Sequence, residues 1–272
     1  MSADDRLVLE GLQVQAGSRH LVRGVGLTVR GGEVVGLVGP SGSGKTLTAR
    51  ALLGLVDFAP GVVAADLTLT CEGRDHRPYD PLPTRRTERE HAFREVRGAL
   101  LGYLPQDAPG SLDPAQRVGR PIEAVAARAG QPGDARVWLE RAGFSADEAP
   151  VVLQRFPHQL SGGMAQRVAI ALALARGSRF LVADEPTTGL DAAVQRQLVH
   201  TFRRLADEGL GVLIVTHDLR WLAQVAHHVH ILDQGTIAET LSASALRPEH
   251  ATTEVGRRLL GAVGRMRSRG FP

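Results

Sequence analysis

Gly39, Pro40, Ser41, Gly42, Ser43, Gly44, Lys45 and Thr46 follow one another with the spacing G-x-x-x-x-G-K-[ST]. Residues of these types at this spacing can hold a chain of phosphates. Glycines let the backbone wrap an anion closely and present successive N–H donors to it. The dipole of a following helix adds positive potential at the same place. Lys45 can then reach the β- and γ-phosphates, and the Thr46 hydroxyl can ligate Mg²⁺.

A second constellation lies at Phe180–Glu185, an apolar run that ends in two carboxylates. Asp184 fits a Mg²⁺ ligand of a P-loop NTPase, and Glu185 fits a general base that polarises an attacking water. Such groups gather at the carboxyl ends of strands in open α/β sheets. An Asp-Glu pair after a strand is often only a solvated turn, so its weight comes from the phosphate loop.

These residues need a scaffold. The sequence predicts short strands over Leu7–Val14 and Gly24–Arg30, separated by the polar turn Ala16–His20. Glu33–Val38 is a compact apolar run that reads as a buried strand leading into the phosphate loop, with helical composition over Thr46–Leu55. Gly73–Arg97 holds several prolines and the charged run Arg85–Glu90, which reads as a loop entering a surface helix. Leu100–Leu104, Phe180–Ala183 and Val212–Val215 read as further strands. Residues 114–160 are helical in pattern, with one helix over Asp134–Ala142. Strands alternating with helices imply a mainly parallel sheet.

Leu160-Ser161-Gly162-Gly163-Met164-Ala165-Gln166-Arg167 opens another predicted helix, Met164–Ala175, with Ser161 placed as its N-cap. A capped helix start with two glycines is a second anion site. Far from the first in sequence, it makes sense if the two meet across a dimer. This octad resembles the signature motif of the ABC ATPases. Gln106 resembles their Q-loop glutamine, Asp191 their D-loop aspartate and His217 their switch histidine. All six features stand in the family's order. The resemblance spans nearly the whole chain.

The resemblance implies a P-loop NTPase (RecA-like) α/β core with a small antiparallel β subdomain and an inserted α-helical subdomain. The expected organisation is a nucleotide-binding domain over residues 1–245, with a helical insert at about 114–175, and a basic helical tail over 246–272. The implied chemistry is ATP hydrolysis with Mg²⁺ as cofactor. Glu185, His217, Lys45 and Gln106 carry the catalytic roles. Thr46, Gln106 and Asp184 hold the metal. Residues 39–46 and Leu47 bind one face of the nucleotide. Ser161, Gly162, Gly163, Gln166 and Asp191 meet it from a second cassette in a head-to-tail pair.

Three stretches narrow the resemblance: Gln106–Pro114, Phe156–Met164 and Ala183–Asp191. They resemble the ATPases of oligopeptide, dipeptide and nickel importers, and Leu21–Thr28 with the short chain looks closest to the nickel branch. The implied partners are a second ABC ATPase subunit, of the same or a related chain, and two transmembrane permeases. An extracytoplasmic solute-binding protein acts indirectly, and no nucleic acid is involved. The implied place is the cytoplasmic face of the cell membrane, held peripherally. Two departures stand out. Gln13–Gly17 has no aromatic to stack on adenine, so adenine is expected either to rest on Arg19 or His20 or to be held loosely. The tail carries no cysteine, so no cluster is expected there. His227, His228 and His230 are expected to pack or face solvent rather than to bind nickel.

Composition sets outer limits. With 272 residues and 43% apolar content the chain can bury a core. A formal charge of +3 does not argue for nucleic acid. The single cysteine, Cys71, cannot form an internal disulfide. The longest apolar stretch, Val168–Ala175, falls short of the roughly 20 residues that cross a bilayer, and the polar start Met1–Arg6 does not read as a signal peptide. The alternative is a soluble ABC-type ATPase acting on a nucleic-acid or ribosomal partner. It would be expected to carry paired cassettes or a long coiled coil, and the sequence shows no heptad run.

Overall fold

The computed structural model describes residues 4–267. Residues 268–272 of the expected tail and the first three residues lie outside it.

Two sheets organise the chain. β1 (Arg6–Ala16), β2 (Arg19–Arg30), β4 (Pro60–Cys71) and β5 (Arg74–His76) form an antiparallel sheet in the order β2-β1-β4-β5. The second sheet has six strands in the order β10-β9-β3-β8-β7-β6. Here β3 is Val34–Val38, β6 Leu101–Leu104, β7 Phe180–Asp184, β8 Gly211–Val215, β9 His228–Asp233 and β10 Thr236–Ser242. Every pairing in it is parallel except β9 with β10.

The central strands are buried on both faces, and period-two alternation divides their side chains between two cores. Val34, Val38, Leu181, Ala183, Val212 and Ile214 point into one core with α7 (Ala192–Asp207) and the inserted helices. Val35, Leu37, Phe180, Val182, Leu213 and Val215 point into the other, with α1 (Lys45–Leu52) and the apolar face of the antiparallel sheet. The β3 run Val-Val-Gly-Leu-Val therefore has no polar side chain to place, and Gly36 clears Leu222, whose Cδ2 would lie 2.3 Å from an added Cβ.

α2 (Arg86–Ala92) is the expected charged surface helix. Between β6 and β7 lie α3 (Gly119–Arg128), α4 (Ala135–Arg141), α5 (Glu148–Leu153) and α6 (Gly162–Leu174). α3 buries Ile122 and Ala126, and α4 buries Trp138 and Leu139, all against α6 and its neighbours. α8 (Leu219–Leu222) follows β8, and α9 (Glu254–Arg267) packs Val255 and Leu260 into the same core. Glu239 of β10 fastens the start of α9 by accepting from the backbone and hydroxyls of Thr252 and Thr253. Cys71 is buried and free, and burial, with Asp5 nearby, pushes its thiol up to about 11. Among the described residues no helix is long and apolar enough to cross a membrane.

Strand β4 is absent from the sequence expectation. Its alternation breaks at Ala64-Ala65-Asp66, where the pairing with β1 shifts register. A bulge of this kind removes the period that marks a strand.

Candidate active site

The parallel sheet delivers three groups to one end. β3 ends at Val38 and the chain turns through Gly39–Gly44 into α1. Gly39 is required there: a Cβ would lie 2.0 Å from the Leu232 carbonyl oxygen. Gly44 caps α1 at φ 108°, a left-handed conformation that glycine adopts without strain. Lys45 folds back over the loop, and its Nζ donates to the carbonyls of Gly39 (2.9 Å) and Pro40 (3.0 Å). Burial holds its ammonium below the ordinary lysine range, against the opposing pull of Glu185 and Asp184. Ser43 is buried with its hydroxyl unpartnered. Ser41, Gly42 and Thr46 are exposed, and Leu47 packs at the edge of the core.

β7 brings the carboxylates. Asp184 is fully buried at the strand tip, and its Oδ1 lies 3.4 Å from Thr46 Oγ1. Its Oδ2 is buried without a hydrogen-bond partner. Burial raises its pKa; the Thr46 hydroxyl opposes that, and the nearby charge of Glu185 adds to it. An orphaned carboxylate oxygen beside a threonine hydroxyl suits a hard cation that takes oxygen ligands, so these residues fit Mg²⁺.

Glu185 departs from the strand with φ 49°, a left-handed conformation that costs a non-glycine residue about 1 kcal/mol or more. Its own N–H donates to Val215 O at 2.7 Å, which ties the turn to β8. Its carboxylate is held twice: Thr216 Oγ1 donates to Oε2 at 3.1 Å, and His217 Nδ1 lies 2.9 Å from Oε1. The His217 ring is otherwise exposed to solvent. Three hydrogen bonds thus hold this left-handed turn at the end of the sheet.

The signature helix begins as expected. Ser161 is the N-cap of α6, and its Oγ accepts from Met164 N–H at 3.2 Å. Gly163 lies against α7, where a Cβ would meet Val194 Cγ1 at 2.7 Å. Arg167 anchors the helix behind: its guanidinium sits 4.0 Å from the Phe144 ring centroid, and Nη1 donates to Gly143 O. Gln166 is buried with its Nε2 unpartnered. Asp191 is exposed and caps α7, accepting from Ala193 and Val194 N–H.

The fold thus joins Lys45, Thr46, Asp184, Glu185 and His217 in one region. Gln106 is exposed on the loop after β6 and, among the described residues, makes no hydrogen bond to that region. Ser161 and its glycines likewise share no hydrogen bond with the Lys45 loop. At the turn between β1 and β2, where the sequence expectation put adenine, the Gln15 amide lies 3.2 and 3.3 Å from the two ring nitrogens of His20. The three histidines of the β9 region have local partners: His227 accepts from Val34 N–H, His228 pairs with Glu33, and His230 with Thr240.

Two side chains were not singled out from sequence. Tyr103, on the strand before Gln106, sets its hydroxyl beside Asp184; burial and that carboxylate push it up to about 12. Thr216 precedes His217 and reaches Glu185. For each, the available signal was the position beside a motif residue.

Residues 22–188 match the family model described as ABC transporter. The glutathione import ATP-binding protein GsiA of Pectobacterium atrosepticum is 38% identical over 95% of this chain and 42% of its own length. GsiA of Escherichia coli K12 is 36% identical over 92% of this chain and 41% of its own. The chain therefore spans under half the length of these curated relatives. Two solved structures share the fold. A post-hydrolysis dimer of the ATP-binding cassette MJ0796 bound to ADP and Pi has a TM-score of 0.69, at 22% identity over 87% of this chain and 98% of that one. A bacterial Atm1-family ABC exporter with ATP bound has a TM-score of 0.70, at 24% identity over 97% of this chain and 43% of that one. With the loop, the carboxylates and the capped helix arranged as above, this chain belongs to the ABC transporter ATP-binding family.

Proposed function

We propose that this chain hydrolyses MgATP to drive an importer, as one half of a head-to-tail pair of cassettes at the cytoplasmic face of the membrane. One observation carries the reading: the Lys45 loop, the buried Asp184 beside Thr46 and the doubly held Glu185 stand together at one end of the parallel sheet.

The chemistry follows from the residues. On binding ATP, Lys45 exchanges two carbonyls for phosphate oxygens, a charge-assisted pairing stronger than the one it leaves. Mg²⁺, when bound by Thr46 and Asp184 with Gln106 closing in, would screen the phosphate charge. Glu185 aligns the water and takes its proton as the water oxygen bonds to the γ-phosphorus and the bond to the β-phosphate oxygen breaks. His217 steadies the γ-phosphate. Ser161 and Gly162 are exposed at the start of α6, where the helix N-terminus offers a second anion site, so a second cassette can supply it across the seam. Closure excludes water and strengthens each of these contacts. Because this chain holds both halves of the site, two copies suffice to complete it.

The permeases dock at a groove of about 290 Å³ beside the Gln106 loop, lined by Leu53, Leu55, Tyr103, Leu172 and Arg176. An extracytoplasmic binding protein would deliver the cargo to them. Relatives named for glutathione import favour a small-peptide cargo over nickel or a metal chelate. Those names also favour transport over a soluble ATPase working on nucleic acid or ribosomes.

Phosphate release from MgATP by the purified chain tests the reading. Glu185→Gln should keep nucleotide binding and lose turnover by about 100-fold or more. Recovery of the tagged chain with membrane permeases is expected; recovery with ribosomes would favour the soluble reading.

A further inference from the structure

Thr216 is fully buried at the end of β8, between the base and the switch histidine. Its hydroxyl has two partners. It donates to Glu185 Oε2 at 3.1 Å and accepts from Asp218 N–H at 3.1 Å. A hydroxyl has one proton to give, and here it goes to the carboxylate. Asp218 in turn caps α8, accepting from the N–H groups of Arg220 and Trp221. Trp221 is buried and donates its Nε1–H to Gln195 O on α7. The Thr216 backbone N–H is bonded to Leu37 O, on the strand that feeds the phosphate loop. One buried side chain thus links the left-handed Glu185 turn to the peptide that carries His217, and through Asp218 to the start of α8.

His217 is exposed, so its contact with Glu185 is open to exchange when nucleotide arrives. The Thr216 contact, by contrast, is buried.

We propose that Thr216 is a positioning residue: its hydroxyl fixes one carboxylate oxygen of Glu185, so that the other points at the attacking water once His217 leaves for the γ-phosphate. The proposal rests on the reading of Glu185 as the general base, and its test separates the two.

The test is steady-state MgATP hydrolysis, with nucleotide affinity measured in parallel, for wild type, Thr216→Val, Thr216→Ser, Glu185→Gln and the double variant Thr216→Val/Glu185→Gln. Valine keeps the shape and removes the hydroxyl; serine keeps the hydroxyl. A hydrogen bond to a charged group sets the scale, so Thr216→Val should lower kcat by about 10- to 100-fold. KM and nucleotide affinity should stay at wild-type values. Thr216→Ser should restore kcat to within about threefold, and Thr216→Val should add almost nothing in the Glu185→Gln background, as expected for groups acting as one unit. Nucleotide affinity reports folding, since Lys45 supplies it and Thr216 does not. The proposal is overturned if Thr216→Val turns over like wild type while Glu185→Gln is inactive. Equal losses in the valine and serine variants, or a fall in nucleotide affinity that matches the fall in kcat, would reduce Thr216 to a structural part. Wild-type turnover in Glu185→Gln would remove the general base itself, and the positioning role with it.

Discussion

His217 Nδ1 lies 2.9 Å from Glu185 Oε1, joining residues 32 positions apart across the tips of neighbouring strands β7 and β8. The two groups proposed to act on the γ-phosphate hold each other. The histidine side chain is 74% exposed, while the glutamate that it meets is only 12% exposed.

That asymmetry predicts the effect of His217→Ala. Nucleotide affinity should change little, because Lys45 and the glycine loop hold the phosphates. Turnover should fall by about 100-fold or more, the loss seen when a transition-state contact is removed. Phosphate release and equilibrium nucleotide binding on the same preparation check this; unchanged turnover would remove His217 from the site.

Lys45→Ala should act on binding instead. The ammonium already sits over the loop on two carbonyls, and a charged hydrogen bond contributes about 1.5–3 kcal/mol. ATP affinity should weaken by roughly 10- to 100-fold. Calorimetric titration with MgATP measures this, and wild-type affinity would contradict the phosphate-loop assignment.

Gly163→Ala should strain the signature helix against α7. The added Cβ would lie 2.7 and 2.8 Å from the two methyl carbons of Val194. Overpacking of this kind costs about 1–3 kcal/mol. The unfolding midpoint should fall, and Val194→Ala in the same chain should recover much of the loss. No recovery would mean that the glycine is needed for another reason.

Glu239 predicts an acid dependence for the docking of α9. Burial pushes its carboxyl up, but the hydrogen bonds from Thr252 and Thr253 outweigh burial and hold it below the usual 4.5. A folded value below the unfolded one means that the contribution is fully present above the unfolded value. It is lost as pH falls through the lowered one. Urea midpoints measured from neutral pH into that acid range should drop in the wild type. The drop should shrink in Glu239→Gln, which starts less stable because its amide N–H groups face the same donors. Parallel curves for the two proteins would contradict this.

Much of this was legible in the sequence, for a physical reason. The phosphate loop, the acidic strand end and the capped helix are local: backbone turn, strand and cap lie within a few residues of one another, so spacing alone encodes them. Ser161 is the clearest case, since its N-cap hydrogen bond spans three residues. What sequence spacing did not carry is contact across the sheet. The Thr216–Glu185 bond joins residues 31 apart, and Tyr103 meets Asp184 from the neighbouring strand β6. Strand β4 was hidden by a bulge that broke its alternation, although its leucines face those of β1 in register.

The central claim is that the Lys45 loop of one cassette and the Ser161 helix of another close on the same triphosphate. Sedimentation of Glu185→Gln with and without MgATP tests it most directly, because slow hydrolysis keeps the nucleotide in place. A monomer is expected without nucleotide and a dimer with MgATP, and no dimer when Ser161→Glu sets a carboxylate against the γ-phosphate. A chain saturated with MgATP that stays monomeric, or a dimer that ignores the Ser161 substitution, would contradict it.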